Sequence, residues 1–108
     1  MSKSIKLLLI CSALLLIASL AQATSPLGAK EVGLPTQGVV VETMNAGGYT
    51  YLCLENNGVQ AWAIIRETDV IVGEQVEIAD GPVKANFTSE SLNRTFDNLI
   101  FSRGIVRH

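Results

Sequence analysis

The segment YTYLCLENNGVQAWAII, from Tyr49 to Ile65, decides the fold. Asn57-Gly58 is the strongest short hairpin signal, because both residues tolerate the positive φ that a tight two-residue turn demands. On either side run β-branched, aromatic and aliphatic residues at strand period. The segment therefore reads as two antiparallel strands, Tyr49–Glu55 and Val59–Ile65. Period-2 alternation sorts their side chains into two faces. Thr50, Leu52 and Leu54 share one face with Val59, Ala61, Ala63 and Ile65. Tyr49, Tyr51, Cys53 and Glu55 share the other with Gln60, Trp62, Ile64 and Arg66. The second set carries hydroxyls and charges, which marks it as the outward face.

Strand signals continue on both sides. Gly38–Met44 is a β-rich run, and Asn45-Ala-Gly-Gly48 is the turn that feeds it into Tyr49. After a turn at Gly73-Glu74, Gln75–Ala79 alternates and reads as a strand closed by Asp80-Gly81-Pro82. Residues 84–94 read as a polar connection anchored by Phe87 and Leu92, with a short helix at Ser89–Leu92 capped by Ser89. Thr95–Ser102 is the last strand. Five short strands without a regular helix make an all-β domain. An open five-stranded sheet would leave two bare edges, so a small closed barrel of OB type is expected over residues 38–108, with an SH3-like barrel as the alternative.

The chain has 108 residues, enough for one domain. Lys3 and Lys6, the apolar run Leu7–Leu20 and the small-x-small triplet Ala21-Gln22-Ala23 have the form of a signal peptide spanning residues 1–23. The run is short for a membrane span, so no span is expected once it is removed. Its loss lowers the 48% hydrophobic content and, by taking two lysines, moves the net charge from −2 to −4. Residues 24–37 hold two prolines and no strand or helix period, and read as a flexible leader. Of two cysteines, Cys11 leaves with the signal and Cys53 stays alone. The domain must then rest on its packed core without a disulfide.

Composition narrows function mostly by exclusion. An acidic exported domain repels phosphate backbones, so nucleic-acid binding is disfavoured despite the OB platform. The single histidine, His108, ends the chain, and no nucleophile–base, metal-ligand or phosphate-loop spacing is present. No enzyme activity and no cofactor are expected. The candidate site is the aromatic set Tyr49, Tyr51 and Trp62, with Asn93 and Arg94, offered to a small ligand or a partner protein. The competing reading has these rings packed beneath Thr95–Ser102 or the leader. A second functional reading is copper or thiol handling through Cys53 and Met44, against a buried structural cysteine. Asn86-Phe-Thr88 and Asn93-Arg-Thr95 fit the glycosylation pattern and serve equally as turn formers.

Residues 38–101, above all Gly47-Gly-Tyr-Thr-Tyr-Leu52, Trp62-Ala63 and Ser91-Leu-Asn-Arg-Thr-Phe96, resemble the NrfJ-like family of small exported bacterial proteins. The resemblance implies an OB-type barrel in the periplasm. It also implies an accessory role beside respiratory systems of the cytochrome c nitrite reductase type, and a bacterial source, in which the two sugar motifs would stay unused.

Overall fold

The computed structural model describes residues 26–106. The signal segment with its cleavage point at Ala23, and the terminal His108, lie outside the described residues. Among the described residues six strands form one mixed sheet: β1 Gln37–Ala46, β2 Tyr49–Asn56, β3 Val59–Arg66, β4 Gln75–Glu77, β5 Val83–Ser89 and β6 Arg94–Phe101. Their order across the sheet is β4-β1-β2-β3-β6-β5. The domain is all-β, as the alternation requires.

The central hairpin is the one that Asn57-Gly58 specifies. Those residues sit at φ 51° and 81°, and β2 pairs with β3 in unbroken register from Tyr49–Arg66 to Asn56–Val59. Gly47 and Gly48, at φ 62° and 87°, make the matching turn between β1 and β2. The β1–β2 register shifts between Val40 and Glu42. This one-residue bulge at Val41 breaks the alternation, so that Val41 and Glu42 are exposed in succession.

Two expectations are corrected. The stretch read as a polar connection contains β5, a full strand paired with β6 from Val83–Ile100 to Ser89–Arg94. Among the described residues there is no helix at Ser89–Leu92. Ser89 Oγ instead accepts the Leu92 N–H at 3.2 Å and closes a tight turn. The sheet is also not closed into a barrel, because β4 and β5 stand at its two edges. The physical reason lies between them. β4 stops after three residues, and Asp80-Gly81-Pro82 follows, where proline removes a ladder donor.

The edges are covered rather than joined. The Val106 N–H donates to the Glu77 carbonyl at 2.7 Å and Ala79 N–H to Gly104 carbonyl at 2.9 Å. On the other side Val83 N–H donates to the Leu27 carbonyl at 2.9 Å. Residues 26–36, within the stretch read as a leader, thus meet the sheet, and Ala29 is fully buried in the core.

Two cores form, one on each face. The first gathers Val40, Leu52, Leu54, Ala63, Ile65, Ile78 and Ile100 with smaller neighbours, matching the apolar face read from the sequence. The second gathers Tyr51, Ile64, Phe96 and Leu99, with Met44, Trp62, Phe87, Leu92 and Phe101 packed around them. It lies on the face expected to be outward. β6 explains it. This strand runs parallel to β3 for only two pairs, Ala63–Ile100 and Ile64–Phe101. The rest of the β5–β6 hairpin leaves the ladder and folds over the second face of β2 and β3. A central strand covered on both sides is buried throughout, and Thr50 to Leu54 are all buried.

Candidate functional site

Phe96 holds the hairpin down. Its ring stacks on Tyr51 at 5.7 Å between centroids, 9° from parallel, and meets Trp62 at 5.1 Å and 58°. Arg94 continues the pile, its guanidinium 4.5 Å from the Trp62 ring centre and 4.9 Å from that of Phe96. It also reaches Glu42 at 3.5 Å. Both side chains of that ion pair are partly exposed, so it adds at most about 1 kcal/mol. Deeper in, the Tyr51 hydroxyl and Ser89 Oγ share a buried hydrogen bond of 2.9 Å. At the tip, a Cβ on Gly47 would come within 2.8 Å of Ser91 Oγ, so the β1–β2 turn lies tight against the hairpin loop.

These contacts overturn the outward placement of two expected residues. Tyr51 is only 4% exposed and Trp62 is half-buried. Covering by the β6 segment, the competing reading, describes Tyr51 and Trp62. Tyr49 remains open, at 48%. Asn93 sits at φ 56° in the loop between β5 and β6, a conformation its short amide side chain tolerates, and it holds the turn. The five residues are therefore not one patch. Tyr49 and Tyr51 line one depression, Trp62 and Arg94 a smaller one shared with Leu34 and Gln60, and Asn93 lines neither.

The first depression is the candidate site. It is a cleft of about 830 Å³ between the hairpin and the sheet. Ala46, Gly47, Tyr49, Tyr51 and Ile64–Arg66 form one side, Phe87–Ser91 the other, and Phe101–Arg103 the end. Phe87 and Phe101 meet edge to face at 5.2 Å and 81°, giving it an aromatic wall. Its volume lies in the range typical of small-molecule sites, roughly 300–1,000 Å³. Sequence reasoning missed Ile64, Phe87, Phe101, Arg66 and Arg103 as site residues. The alternation of Val83, Ala85, Phe87 and Ser89 against Lys84, Asn86 and Thr88 was the available signal for the strand that brings Phe87 here.

Cys53 lies on the same face but under cover, at 2% exposure. Burial pushes its thiol pKa up, and the negative Glu42 beside it adds to the rise. That favours the neutral thiol over the thiolate a metal or redox role needs. Among the described residues no three His, Cys, Asp or Glu side chains gather as a metal set. No helix among them is long and apolar enough to cross a membrane.

No family model, curated protein or solved structure matches the chain.

Proposed function

We propose that this protein is a non-enzymatic binding module of the bacterial periplasm, exported by its N-terminal segment, which holds a small ligand in the cleft between the β5–β6 hairpin and the sheet. The observation that carries the reading is the cleft itself, an apolar-walled space of about 830 Å³ left open beside a tightly packed cover. Within its lining, the Tyr51 and Ser89 hydroxyls are engaged with one another. This supports binding over catalysis. The meander β1-β2-β3, the last strand running parallel to β3, and β4 on β1 support an OB-type arrangement left open at the β4–β5 break. The resemblance to NrfJ-like proteins supports an accessory role beside a nitrite reductase-type respiratory system.

A photo-crosslinking residue placed at Tyr49 in living cells tests this reading. Tyr49 lines the cleft and is half exposed, so it can be replaced without opening the core. Adducts at Tyr49 and not at the exposed Val59 support it. The same adducts at both positions, or none at Tyr49, count against it. Tyr51→Ala is unsuitable, because loss of that buried ring disturbs the fold itself.

A further inference from the structure

We infer that the cleft selects an anion: a small organic acid with a flat apolar body and a single carboxylate. The inference rests on the binding role proposed above and adds the chemical class of the ligand.

β3 and β6 run parallel, with Ala63 beside Ile100 and Ile64 beside Phe101. The Ser102 N–H donates to the Ile64 carbonyl at 3.1 Å, the hydrogen bond that closes the Ile64–Phe101 pair at the end of β6. Two residues beyond that pair on each chain stand Arg66 and Arg103. Both arginines line the cleft and both are exposed. Neither pairs with a carboxylate among the described residues. With Glu90 as the one carboxylate among the lining residues, the two guanidiniums leave the cleft net positive. That is notable in a chain of net negative charge, where carboxylates to neutralise two arginines are plentiful.

The rest of the lining fits the other end of such a ligand. Tyr51, Ile64, Phe87 and Phe101 give an apolar and aromatic wall. Tyr49 is the cross-strand neighbour of Arg66, which puts an exposed ring beside the charge at the rim. A planar guanidinium receives a carboxylate through two parallel hydrogen bonds. An acid whose ring lies against Phe87 and Phe101 would direct its head to that pair. Glu90 also lines the cleft. It opposes an anion, and its removal should strengthen binding.

The test uses protein purified after expression of the full chain, titrated with 2-naphthoate and with uncharged 2-naphthol, and followed by calorimetry and by backbone amide shifts. Naphthoate is expected to bind at least tenfold more tightly than naphthol, with shifts concentrated at Phe87–Ser91 and Phe101–Arg103. Arg66→Gln with Arg103→Gln should bring naphthoate down to the naphthol level. Glu90→Gln should raise its affinity, and Lys30→Gln, outside the cleft lining, should leave it unchanged. Each single arginine variant serves if the double one fails to fold. Equal binding of the two probes, or naphthoate binding indifferent to both arginines, overturns the anion preference while the cleft remains a binding site. Failure of both probes to enter it overturns the preference and the binding role together.

Discussion

Replacing Phe96 by Leu tests whether the β5–β6 hairpin covers the second face of the sheet in solution. Phe96 is 3% exposed and central to that cover. An exchange of one apolar side chain for another of similar size costs under about 1.5 kcal/mol at an ordinary core position. Here the ring does more. It stacks on Tyr51 at 5.7 Å and tilts against Trp62 at 5.1 Å, contacts worth about 0.5–1.5 kcal/mol each. It also carries the Arg94 guanidinium at 4.9 Å, a half-solvated contact worth about 0.5–1 kcal/mol. Leu supplies none of these, so a loss of about 2–3 kcal/mol is expected. For a domain of this size that lowers the melting temperature by roughly 10–20 °C. Urea unfolding followed by fluorescence is the assay, since Trp62 is the chain's only tryptophan and reports from beside the substituted ring. A loss below about 0.5 kcal/mol, with the Trp62 emission unchanged, would refute the reasoning. It would mean that the hairpin stands off the sheet and that the cleft beneath it has no fixed wall.

Two further outcomes follow from close packing and from burial. Gly81→Ala should destabilise by about 1–3 kcal/mol, because a Cβ there runs into the Phe101 carbonyl oxygen; an unchanged urea midpoint would show that the β4–β5 connection has room to shift. For Cys53 the folded thiol pKa is raised, by burial first and by Glu42 second. The unfolded chain therefore releases that proton at lower pH than the native one does. The thiol's contribution is intact below the ordinary thiol range and is lost as pH climbs through the folded value. Urea midpoints taken from about pH 7 to about pH 10, on either side of the ordinary thiol pKa of about 8.5, should fall more steeply for the native sequence than for Cys53→Ala. Equal slopes would place the thiol in contact with water.

Local chemistry carried the first three strands. Asn57-Gly58 set the β2–β3 turn, Gly47-Gly48 the one before it, and alternation sorted the two faces correctly. What alternation cannot show is whether a face is later covered by chain from elsewhere. Glu55, Gln60 and Arg66 sit toward the ends of the second face, and their polarity was read as marking all of it as wet. Between them lie Tyr51, Cys53 and Ile64, and the β5–β6 hairpin covers that middle. The Tyr51 hydroxyl pointed the same wrong way, since Ser89, thirty-eight positions along, satisfies it in the interior. β5 itself was legible in the alternation of residues 83–89. Its polar set, Lys84, Asn86 and Thr88, faces outward, and Asn86 takes φ 53° within the run, which gave the stretch the look of a loop. The candidate site was half legible for the same reason. Tyr49 and Tyr51 came from one strand, whereas Phe87, Phe101 and Arg103 join them only through a parallel pairing that no local pattern encodes.

The division of labour within the hairpin bears on how any functional experiment is interpreted. It is fastened at its root, where Ile100 and Phe101 pair with β3. It is fastened again toward its tip, where Ser89 meets Tyr51 and Arg94 lies over Trp62. Between the fastenings the β6 side is filled by Phe96 and Leu99, while Phe87, Thr88 and the loop residues Glu90 and Ser91 line the cleft. Support therefore rests mainly on β6 and the cleft wall mainly on β5, with Ser89 and Phe101 serving both. Tyr49, Arg66 and Arg103 border the cleft and are exposed, so changing them should move stability by no more than the roughly 0.5 kcal/mol usual for surface positions. Tyr51 belongs to both sets, as a wall of the cleft and as the base of the Phe96 stack, and a binding defect in its variants has two physical causes. Lost binding at the rim residues, with the unfolding midpoint held, has only one.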